Sequence, residues 1–416
     1  MNRASSSCGK LLIVCMLISV VIHFGVNNGN CEPVRGVTDT TIKIGGILDQ
    51  TGPIAGDIGL PVTEAIKVYT RHINDSGGVF GRKIKFIVED DRYSIPAGIA
   101  AFKKLLFKDK IFLMVGPASV GETKVLFGQI KKLKVPTITG APDESAINPL
   151  KKYIFMTFNV YDDQIGAIFD YIVNDLKPEK IDISLVYFDA ESGKVALRST
   201  KKWAQFFNLD FKKEIIGMGA LDATSQIMSM KRNKPTHIIV HHGSPGAIVL
   251  LRELKKFGMN IPVYGTMVTC TEDTVRMAGS ASKNYMGAHP FSSWYDEMEG
   301  PAEMRSVTLK YKPGSEKPYR SKIYTLGWSM AVVLYEGLQR VGKDLNTQSF
   351  LSAMEGIKNL DMKGLCGPMS FSASNHKGLD YSRFYKADPA SGKLIPVGDW
   401  RKPPQGNTQD NSVENE

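Results

Sequence analysis

Residues 41–59, TIKIGGILDQTGPIAGDIG, decide the fold of this 416-residue chain. The β-branched and apolar run Thr41–Leu48 predicts a buried strand, and the glycine-rich segment Thr51–Gly59 predicts a loop. Apolar residues then recur at helical spacing over Pro61–Asp75, and a second strand-like run follows at Lys83–Asp90. A strand, a helix and another strand at this spacing indicate a βαβ unit with parallel strands.

The same alternation continues in two series, at roughly residues 40–159 and 160–288. The further predicted strands are Phe112–Gly116, Val135–Thr139, Ile183–Phe188, Phe211–Ile216, His237–His241 and Val263–Tyr264. The predicted helices between them are Ala97–Lys108, Gly121–Leu133, Asp163–Leu176, Val195–Phe207, Ser225–Arg232 and Ala247–Phe257. Because the chain is too long for a single core, we predict an α/β protein of two lobes. Each lobe is a doubly wound parallel sheet with helices on both faces.

The remainder of the chain is predicted to be rich in helix and to end in a few strands. Helices are expected at Ser321–Val341 and Thr347–Ile357. Closing strands are expected at Met369–Phe371, Tyr381–Lys386 and Leu394–Val397. The tail 401–416 is almost free of apolar residues, which predicts disorder.

The N-terminus has the pattern of an export signal. Arg3 and Lys10 precede an apolar run at 11–26, and the polar residues NNGNC end at Cys31. We therefore predict a signal peptide at 1–31 and a periplasmic location. Two alternatives stay open: an uncleaved membrane anchor, and a lipid anchor at Cys31. The apolar run is short for a span, and residues 28–30 do not match the apolar-then-small pattern of a lipoprotein signal.

Charge and cysteine content favour neither nucleic acid nor metal as a partner. Lys and Arg total 52 against 42 Asp and Glu, a formal charge of +10. The basic residues are scattered, and no run or aromatic interleaving typical of a nucleic-acid-binding protein occurs. Of the five cysteines, Cys270 and Cys366 lie outside the predicted signal region and lack metal-ligand spacing. A disulfide between them is one alternative, and two separate buried thiols is the one we favour.

Two groups of residues are candidates for a catalytic or metal site. The first is His237, His241 and His242, which would need a further ligand to form a metal site. The second is Ser244, on a strand-to-helix turn that resembles a nucleophile elbow. However, Pro245 removes the N–H that would complete an oxyanion hole. With no Walker A loop and no dinucleotide or HExxH motif, we predict a non-enzyme with no cofactor and no bound metal.

Parallel sheets of this class bind ligands outside the carboxyl ends of their strands. The loops of interest therefore follow strand ends in both predicted lobes. They come after Leu48, Gly116, Thr139, Phe188, His241 and Tyr264. Two hinged lobes that face each other across such loops form a cleft that closes on its ligand.

Four segments in order carry a family resemblance. They are IKIGGILDQTGPIAGDIG, INDSGGVFGRKIKFIVEDD, KLLFKDKIFLMVGPASVG and VPTITGAPDE. Together they resemble the leucine/isoleucine/valine-binding proteins, the type I periplasmic solute-binding proteins of ABC importers, over residues 41–400. The resemblance implies a non-enzymatic, monomeric protein of two lobes joined by three crossings, which delivers its ligand to an ABC permease. A ligand-sensing subunit that signals to a membrane receptor is the alternative.

The resemblance also implies the borders of the two lobes. Lobe one comprises 40–159 and 289–378. Lobe two comprises 160–288 and 379–400.

The family's ligand-binding positions carry over to both lobes. In lobe one, the loop 116–121 would hold a ligand carboxylate through Ser119 and Val120, with Val120 in place of a second serine. The loop 140–144 would contribute the Ala141 carbonyl and Asp143, which stands where threonine is expected. In lobe two and at the third crossing, the implied contacts are Ser192, His242, Ser244, Met267 and Trp294.

The departures from the family pattern leave two ligand classes open. Met267 stands where the family has an acid that binds an ammonium group, and Ser192 replaces an aromatic residue. In one alternative, Asp143 takes over the ammonium contact and the ligand is an amino acid. In the other, the ligand lacks an ammonium group, as an organic or aromatic acid or an amide does, and Met267 packs on it. Glu272 would restore the acid if the loop aligns differently.

Overall fold

The computed structural model describes residues 33–313 and 320–404. The predicted signal peptide, Cys31 and residues 405–416 of the predicted tail therefore lie outside the described residues. In the part of the chain that is described, no helix is both long enough and apolar enough to span a membrane. Cys270 and Cys366 are buried free thiols.

Twelve strands are found in the described residues. They are β1 (Thr41–Ile47), β2 (Lys83–Glu89), β3 (Leu113–Val115), β4 (Thr137–Ile138), β5 (Ile154–Phe155), β6 (Ile183–Tyr187), β7 (Phe211–Ile215), β8 (His237–His241), β9 (Val263–Gly265), β10 (Tyr285–His289), β11 (Ser382–Asp388) and β12 (Lys393–Arg401).

The α-helices alternate with the strands and also fill the C-terminal third. They are α1 (Leu60–Asp75), α2 (Ile95–Lys103), α3 (Val120–Leu133), α4 (Tyr161–Asp170), α5 (Glu191–Phe206), α6 (Thr224–Asn233), α7 (Ser244–Lys256), α8 (Glu272–Ala278), α9 (Glu299–Tyr311), α10 (Lys322–Val341) and α11 (Thr347–Glu355). Short π-helical turns lie at Ala55–Gly59, Lys104–Asp109 and Tyr171–Leu176, and 3₁₀ turns at Glu144–Ala146 and Gly279–Ser282.

The strands form two separate sheets, one in each lobe. The first has the order β2-β1-β3-β4-β5, and all of its pairs are parallel. The second has the order β12-β11-β10-β9-β8-β6-β7; its pairs are parallel from β7 to β10, while β11 and β12 join antiparallel. The predicted fold class, two doubly wound parallel-sheet lobes joined by three crossings, is confirmed.

Apolar clusters cover both faces of each sheet. On one face of the first sheet, Ile42 and Ile44 of β1 pack with Val62 of α1 and Trp328 of α10. A Cβ on Gly327 would lie 2.7 Å from the Cα of Val62, so only glycine lets α1 and α10 approach this closely. The late helix α10 therefore packs on the first sheet. The residue borders of the two lobes stay a prediction.

Three details differ from the sequence-based expectations. Met369–Phe371 is not a strand: Met369 forms only a single bridge to Leu360, since Pro368 before it cannot donate a ladder hydrogen bond. β12 runs through Arg401, the first residue of the predicted disordered tail. The Arg401 guanidinium pairs with Asp170 at 2.8 Å and with Asp175 at 2.5 Å, which holds the strand end in place. The strands β5 and β10 were not predicted.

Candidate ligand-binding cleft

A cavity of about 190 Å³ lies between the two lobes. Loops that follow β1, β2 and β3 supply its lobe-one wall, namely Pro53, Ile54, Asp57, Ile58, Tyr93 and Ala118. The opposite wall comes from the start of α4 and from loops after β6, β7, β8 and β9, namely Tyr161, Phe188, Ser192, Met218, Gly219, His241, His242, Gly243, Pro245 and Val268. The cavity thus lies at the carboxyl ends of parallel strands, where such sheets bind ligands.

Glycine at the end of β3 lets the lobe-one loops converge. Gly116 has φ +93°, and a Cβ there would lie 2.2 Å from the carbonyl oxygen of Ile47. The loop after β3 therefore passes directly over the end of β1. It delivers Ser119 as the N-cap of α3, where the Ser119 Oγ accepts a hydrogen bond from the Glu122 N–H at 3.3 Å.

The walls of the cavity are largely apolar and aromatic. Tyr161 packs edge-on against His241, with ring centroids 4.4 Å apart, and Phe188 lies parallel to the same imidazole at 6.0 Å. Met218 and Val268 add aliphatic surface. This surface suits the apolar body of a small ligand.

Two buried histidines bring polar atoms to the lobe-two wall. Burial lowers the pKa of His241 to about 3, so its imidazole is neutral. Its Nδ1 lies 2.9 Å from the Thr266 Oγ1, and its Nε2 has no hydrogen-bond partner in the part of the chain that is described. His242 Nε2 bonds to the Ile216 carbonyl at 3.1 Å, and burial lowers its pKa as well. The histidines are therefore neutral hydrogen-bonding groups.

Asp57 is the acid of the cavity wall, and sequence reasoning missed it. Its Oδ2 accepts a hydrogen bond from the Ser244 N–H at 3.1 Å, at the N-terminus of α7, so a lobe-one side chain contacts lobe two. Burial raises the pKa of Asp57 to about 6, although this hydrogen bond opposes the shift. The signal available in the sequence was an acid inside the glycine-rich loop that decides the fold.

Two further side-chain pairs join the lobes near the cavity. The Nζ of Lys124 in α3 lies 3.4 Å from the Oε2 of Glu191 in α5 and 3.3 Å from the Oδ2 of Asp143. The Tyr93 hydroxyl is within hydrogen-bonding reach of Ser192. The structure therefore has the lobes in contact around the cavity.

The predicted lobe-one residues are clustered but do not line the cavity. Ser119 caps α3, and Val120 is buried behind it. Ala141 is also buried. Asp143 is 4% exposed, pairs with Lys124 and accepts a hydrogen bond from Ser145. Its carboxylate is thus already balanced within lobe one.

The predicted lobe-two residues divide into two groups. Ser192 and His242 line the cavity. Ser244 is buried beside it, with its Oγ 3.0 Å from the Thr271 Oγ1. Met267 is buried behind the wall, and its N–H donates to the Gln164 Oε1 at 2.9 Å.

Two further candidates lie away from the cavity wall and close to the predicted crossing after residue 288, a region that we call the hinge and that contains Glu272, Ser293 and Lys322. Trp294 packs edge-on against Tyr324 at 5.8 Å, with the Arg320 guanidinium over its ring. Glu272 is buried, and its Oε2 accepts from the Lys322 N–H at 2.9 Å.

The histidines considered as a metal pair lie at opposite ends of one strand. His237 begins β8 and bonds to Thr236, whereas His241 ends it at the cavity. Four residues of strand span about 13 Å. The two imidazoles therefore cannot share an ion.

Comparison with known proteins agrees with this architecture. A family model described as periplasmic binding protein matches residues 41–393. A branched-chain amino acid ABC transporter protein from Thermus thermophilus with bound valine superposes with a TM-score of 0.80 at 22% identity, covering 88% of this chain and 97% of its own. A fatty acid ABC transporter substrate-binding protein from Thermomonospora curvata gives 0.79 at 23%, covering 89% and 94%.

A third solved structure, the branched-chain amino acid binding protein LivJ from Streptococcus pneumoniae in complex with isoleucine, gives a TM-score of 0.73 at 19% identity. It covers 86% of this chain and 99% of its own. A search of curated protein sequences finds no match. These likenesses establish the fold, and the family match over 41–393 establishes the family. The chain belongs to the periplasmic binding protein family.

Proposed function

We propose that this protein captures a small amino acid with an apolar side chain in the interlobe cleft and presents it to an ABC permease for import. The observation that carries the proposal is the cavity itself, which both lobes line and in which Asp57 reaches from lobe one to the N-terminus of α7. A ligand held there contacts both walls and so favours the closed form over the open one.

The size of the cavity limits the ligand. Its volume of about 190 Å³ lies below the ~300–1,000 Å³ typical of sites for drug-sized molecules. The ring faces of Phe188 and Tyr161 and the side chain of Met218 suit a short aliphatic or aromatic body. This volume favours a short ligand over a long acyl chain.

Asp57 is the group that favours an ammonium-bearing ligand. Its Oδ2 accepts from the Ser244 N–H, and no hydrogen bond to Oδ1 is found among the described residues. Asp143, the acid expected from the sequence, is instead balanced by Lys124 at 3.3 Å. We therefore assign the ammonium contact to Asp57. A ligand with a carboxylate and no ammonium would be repelled by Asp57.

The ligand carboxylate is assigned to the N-terminus of α3. Ala118 lines the cavity directly before this helix, and the first N–H groups of a helix have no partner within it. These N–H groups and the helix dipole favour an anion. Ser119, which caps this helix and lies outside the cavity wall, would act on the carboxylate through the helix N-terminus that it fixes.

A thermal-shift screen of the purified protein tests the proposal. A ligand that binds only the folded state raises Tm once its concentration exceeds Kd. Leucine, isoleucine, valine and phenylalanine are compared with their deaminated acids and their amides. A rise with at least one amino acid supports the proposal, and no rise with any compound of the panel contradicts it.

Import and sensing differ in the partner that reads the closed form. Ligand-dependent stimulation of ATP hydrolysis by the partner ABC permease in vesicles supports import. Ligand-dependent binding to a receptor kinase, without stimulation of the permease, supports a sensor.

A further inference from the structure

Four carboxylates gather beneath the lobe-one wall of the cleft, where β1 and β2 end and α3 begins. Asp49, Asp90 and Asp91 each present an oxygen within 4.8 Å of the others. Glu122, in the first turn of α3, lies against Asp91. We call these four residues the acidic cluster.

The negative charge of the acidic cluster is not balanced by nearby basic residues. Asp49, Asp91 and Glu122 are at most 2% exposed. Among the described residues, none of these three forms an ion pair, and Asp90 has only Arg92 at 3.7 Å, whose side chain is 73% exposed. Burying several like charges without a counter-charge is strongly unfavourable.

The Glu122 carboxyl group shows the imbalance most clearly. Glu122 is 1% exposed, and among the described residues no backbone, hydroxyl or cationic group donates a hydrogen bond to Oε1 or Oε2; only the Asp91 carboxyl group is within hydrogen-bonding reach. A Cβ on Gly98 would lie 2.8 Å from Oε2, so the backbone of α2 closes one side of the carboxyl group.

We propose that Asp49, Asp90, Asp91 and Glu122 bind a hard divalent cation, Ca²⁺ or Mg²⁺. Carboxylate oxygens are the ligands that these ions prefer, and the cluster offers no sulfur or imidazole that would select a softer metal. A cation there balances the buried charges and supplies the counter-charge that Glu122 lacks.

Such a cation also secures the lobe-one wall of the cavity. Asp49 accepts hydrogen bonds from the N–H groups of Gly52 and Ile54, and Asp91 accepts from the Tyr93 N–H at 3.0 Å. Ile54 and Tyr93 line the cavity. The ion would hold in place the two carboxylates that shape this wall. The proposal does not depend on which ligand the cleft binds.

Thermal unfolding of the full chain tests the proposal. The protein is stripped with EDTA and titrated with Ca²⁺ or Mg²⁺ up to about 10 mM, above the ~0.1–1 mM Kd of weak extracellular calcium sites. We expect Tm to rise by about 3 °C at tenfold excess over Kd, and potassium chloride of equal ionic strength to leave Tm unchanged. The Glu122→Gln variant should lose the rise.

A matched control and a second measurement make the test independent of one variant. Glu336→Gln changes a surface acid of α10 and should keep the cation response. Terbium luminescence excited through tyrosine should appear in the wild type and fall on addition of Ca²⁺. It should be weaker in the Asp90→Asn variant, which changes a residue at the exposed edge of the cluster.

Two outcomes overturn the proposal. One is a wild-type protein that responds to neither cation and shows no terbium luminescence, in which case Glu122 is protonated and shares its proton with Asp91. The other is a Glu122→Gln variant that folds and keeps the full cation response.

Discussion

The hinge and the lobe-one wall of the cleft each bury a glutamate, but only the glutamate at the hinge has a counter-charge beside it. Glu272 at the hinge and Glu122 in the acidic cluster are each 1% exposed. The Lys322 N–H donates to Glu272, and the charge of Lys322 opposes the rise that burial causes in the pKa of Glu272. The charged groups that act on Glu122 are the other carboxylates Asp91 and Asp49, and within the described residues it has no cationic partner.

Lys322 completes the hinge network. Its Nζ donates to the Ser293 Oγ at 2.6 Å and lies 3.1 Å from the centroid of the Tyr385 ring. Burial lowers the pKa of Lys322, and the charge of Glu272 opposes that shift. The hinge charges are therefore balanced within the chain. The charges of the lobe-one wall, which include Asp57, are left to be balanced from outside. The difference suggests that the hinge serves stability and the wall serves binding.

Removing Lys322 should have the largest effect on stability. Lys322→Met leaves Glu272 buried beside no cation, and we expect a loss of about 3–5 kcal/mol in the free energy of unfolding. Urea denaturation followed by circular dichroism measures it. The double variant Lys322→Met with Glu272→Gln should recover part of the loss. A single variant within about 1 kcal/mol of the wild type would remove the contrast between the two regions.

The same substitution at the two glutamates should act in opposite directions. Without divalent cations, Glu272→Gln should lower the free energy of unfolding by about 1–3 kcal/mol, because Lys322 then lacks its buried counter-charge. Glu122→Gln should leave it unchanged or raise it, because a neutral amide replaces a buried carboxyl group that is crowded by other carboxylates. Equal losses in both variants would show that Glu122 has a partner of the same strength as that of Glu272.

Asp57 should contribute to binding of an amino-acid ligand, while Asp143 should not. Asp57→Asn removes the proposed partner of the ammonium group, and we expect affinity to fall about 30-fold, or ~2 kcal/mol. Asp143→Asn should change affinity less than about threefold, since Asp143 faces Lys124 in a partly exposed pair. Calorimetric titration of both variants measures the difference, and a reversed order would restore the assignment made from the sequence.

The pH dependence of binding should follow the ionisation of Asp57. Its pKa is raised to about 6, so it is ionised at pH 7 and becomes protonated as pH falls below that value. The ammonium contact needs the carboxylate form, so affinity should decrease from pH 7 to pH values near 4, the ordinary range of an Asp. Asp57→Asn should bind with little pH dependence. An affinity that rises on acidification would favour a ligand without an ammonium group.

The raised pKa of Asp57 should also make the stability of the ligand-free protein depend on pH. A raised pKa means that folded Asp57 holds its proton to higher pH than unfolded Asp57 does. Its contribution to stability is therefore present at pH values near 4 and is lost as pH rises through about 6. The difference in Tm between wild type and Asp57→Asn should widen over this interval. A constant difference would indicate that Asp57 titrates normally.

The ion pair between Lys124 and Glu191, which joins the two lobes, should have the smallest effect on ligand affinity. Lys124 is 30% exposed and Glu191 is 41% exposed, so their interaction is screened by solvent. Lys124→Met should alter ligand affinity by about 0.5 kcal/mol. A tenfold loss would mean that this pair, rather than Asp57, holds the lobes together.

The fold was largely predictable because its signals are local. Strand–loop–helix alternation from Thr41 onward and the spacing of apolar residues identified both lobes. The strands β5 and β10 could not be predicted from the sequence, because two to five residues show little periodicity. Such short strands form because neighbouring strands in the sheet pair with them.

The site was only partly predictable because its geometry depends on how two lobes meet. Ser192 and His242 do line the cavity. The sequence could not indicate that Lys124 balances Asp143, because that contact depends on how α3 packs beside the loop after β4. Nor could it indicate that the loop turns Asp57 toward α7, because Asp57 and Ser244 are 187 positions apart in the chain. The charge imbalance around Glu122 is likewise visible only once its neighbours are assembled.

The most direct test of the account is calorimetric titration at pH 7.5 with an amino acid and its deaminated analogue. Suitable pairs are leucine with 4-methylpentanoate, valine with 3-methylbutanoate and phenylalanine with 3-phenylpropanoate. If Asp57 holds an ammonium group, one amino acid should bind about 30-fold or more tightly than its analogue, and Asp57→Asn should narrow that gap. Tighter binding of the deaminated acid in every pair that binds would contradict the account.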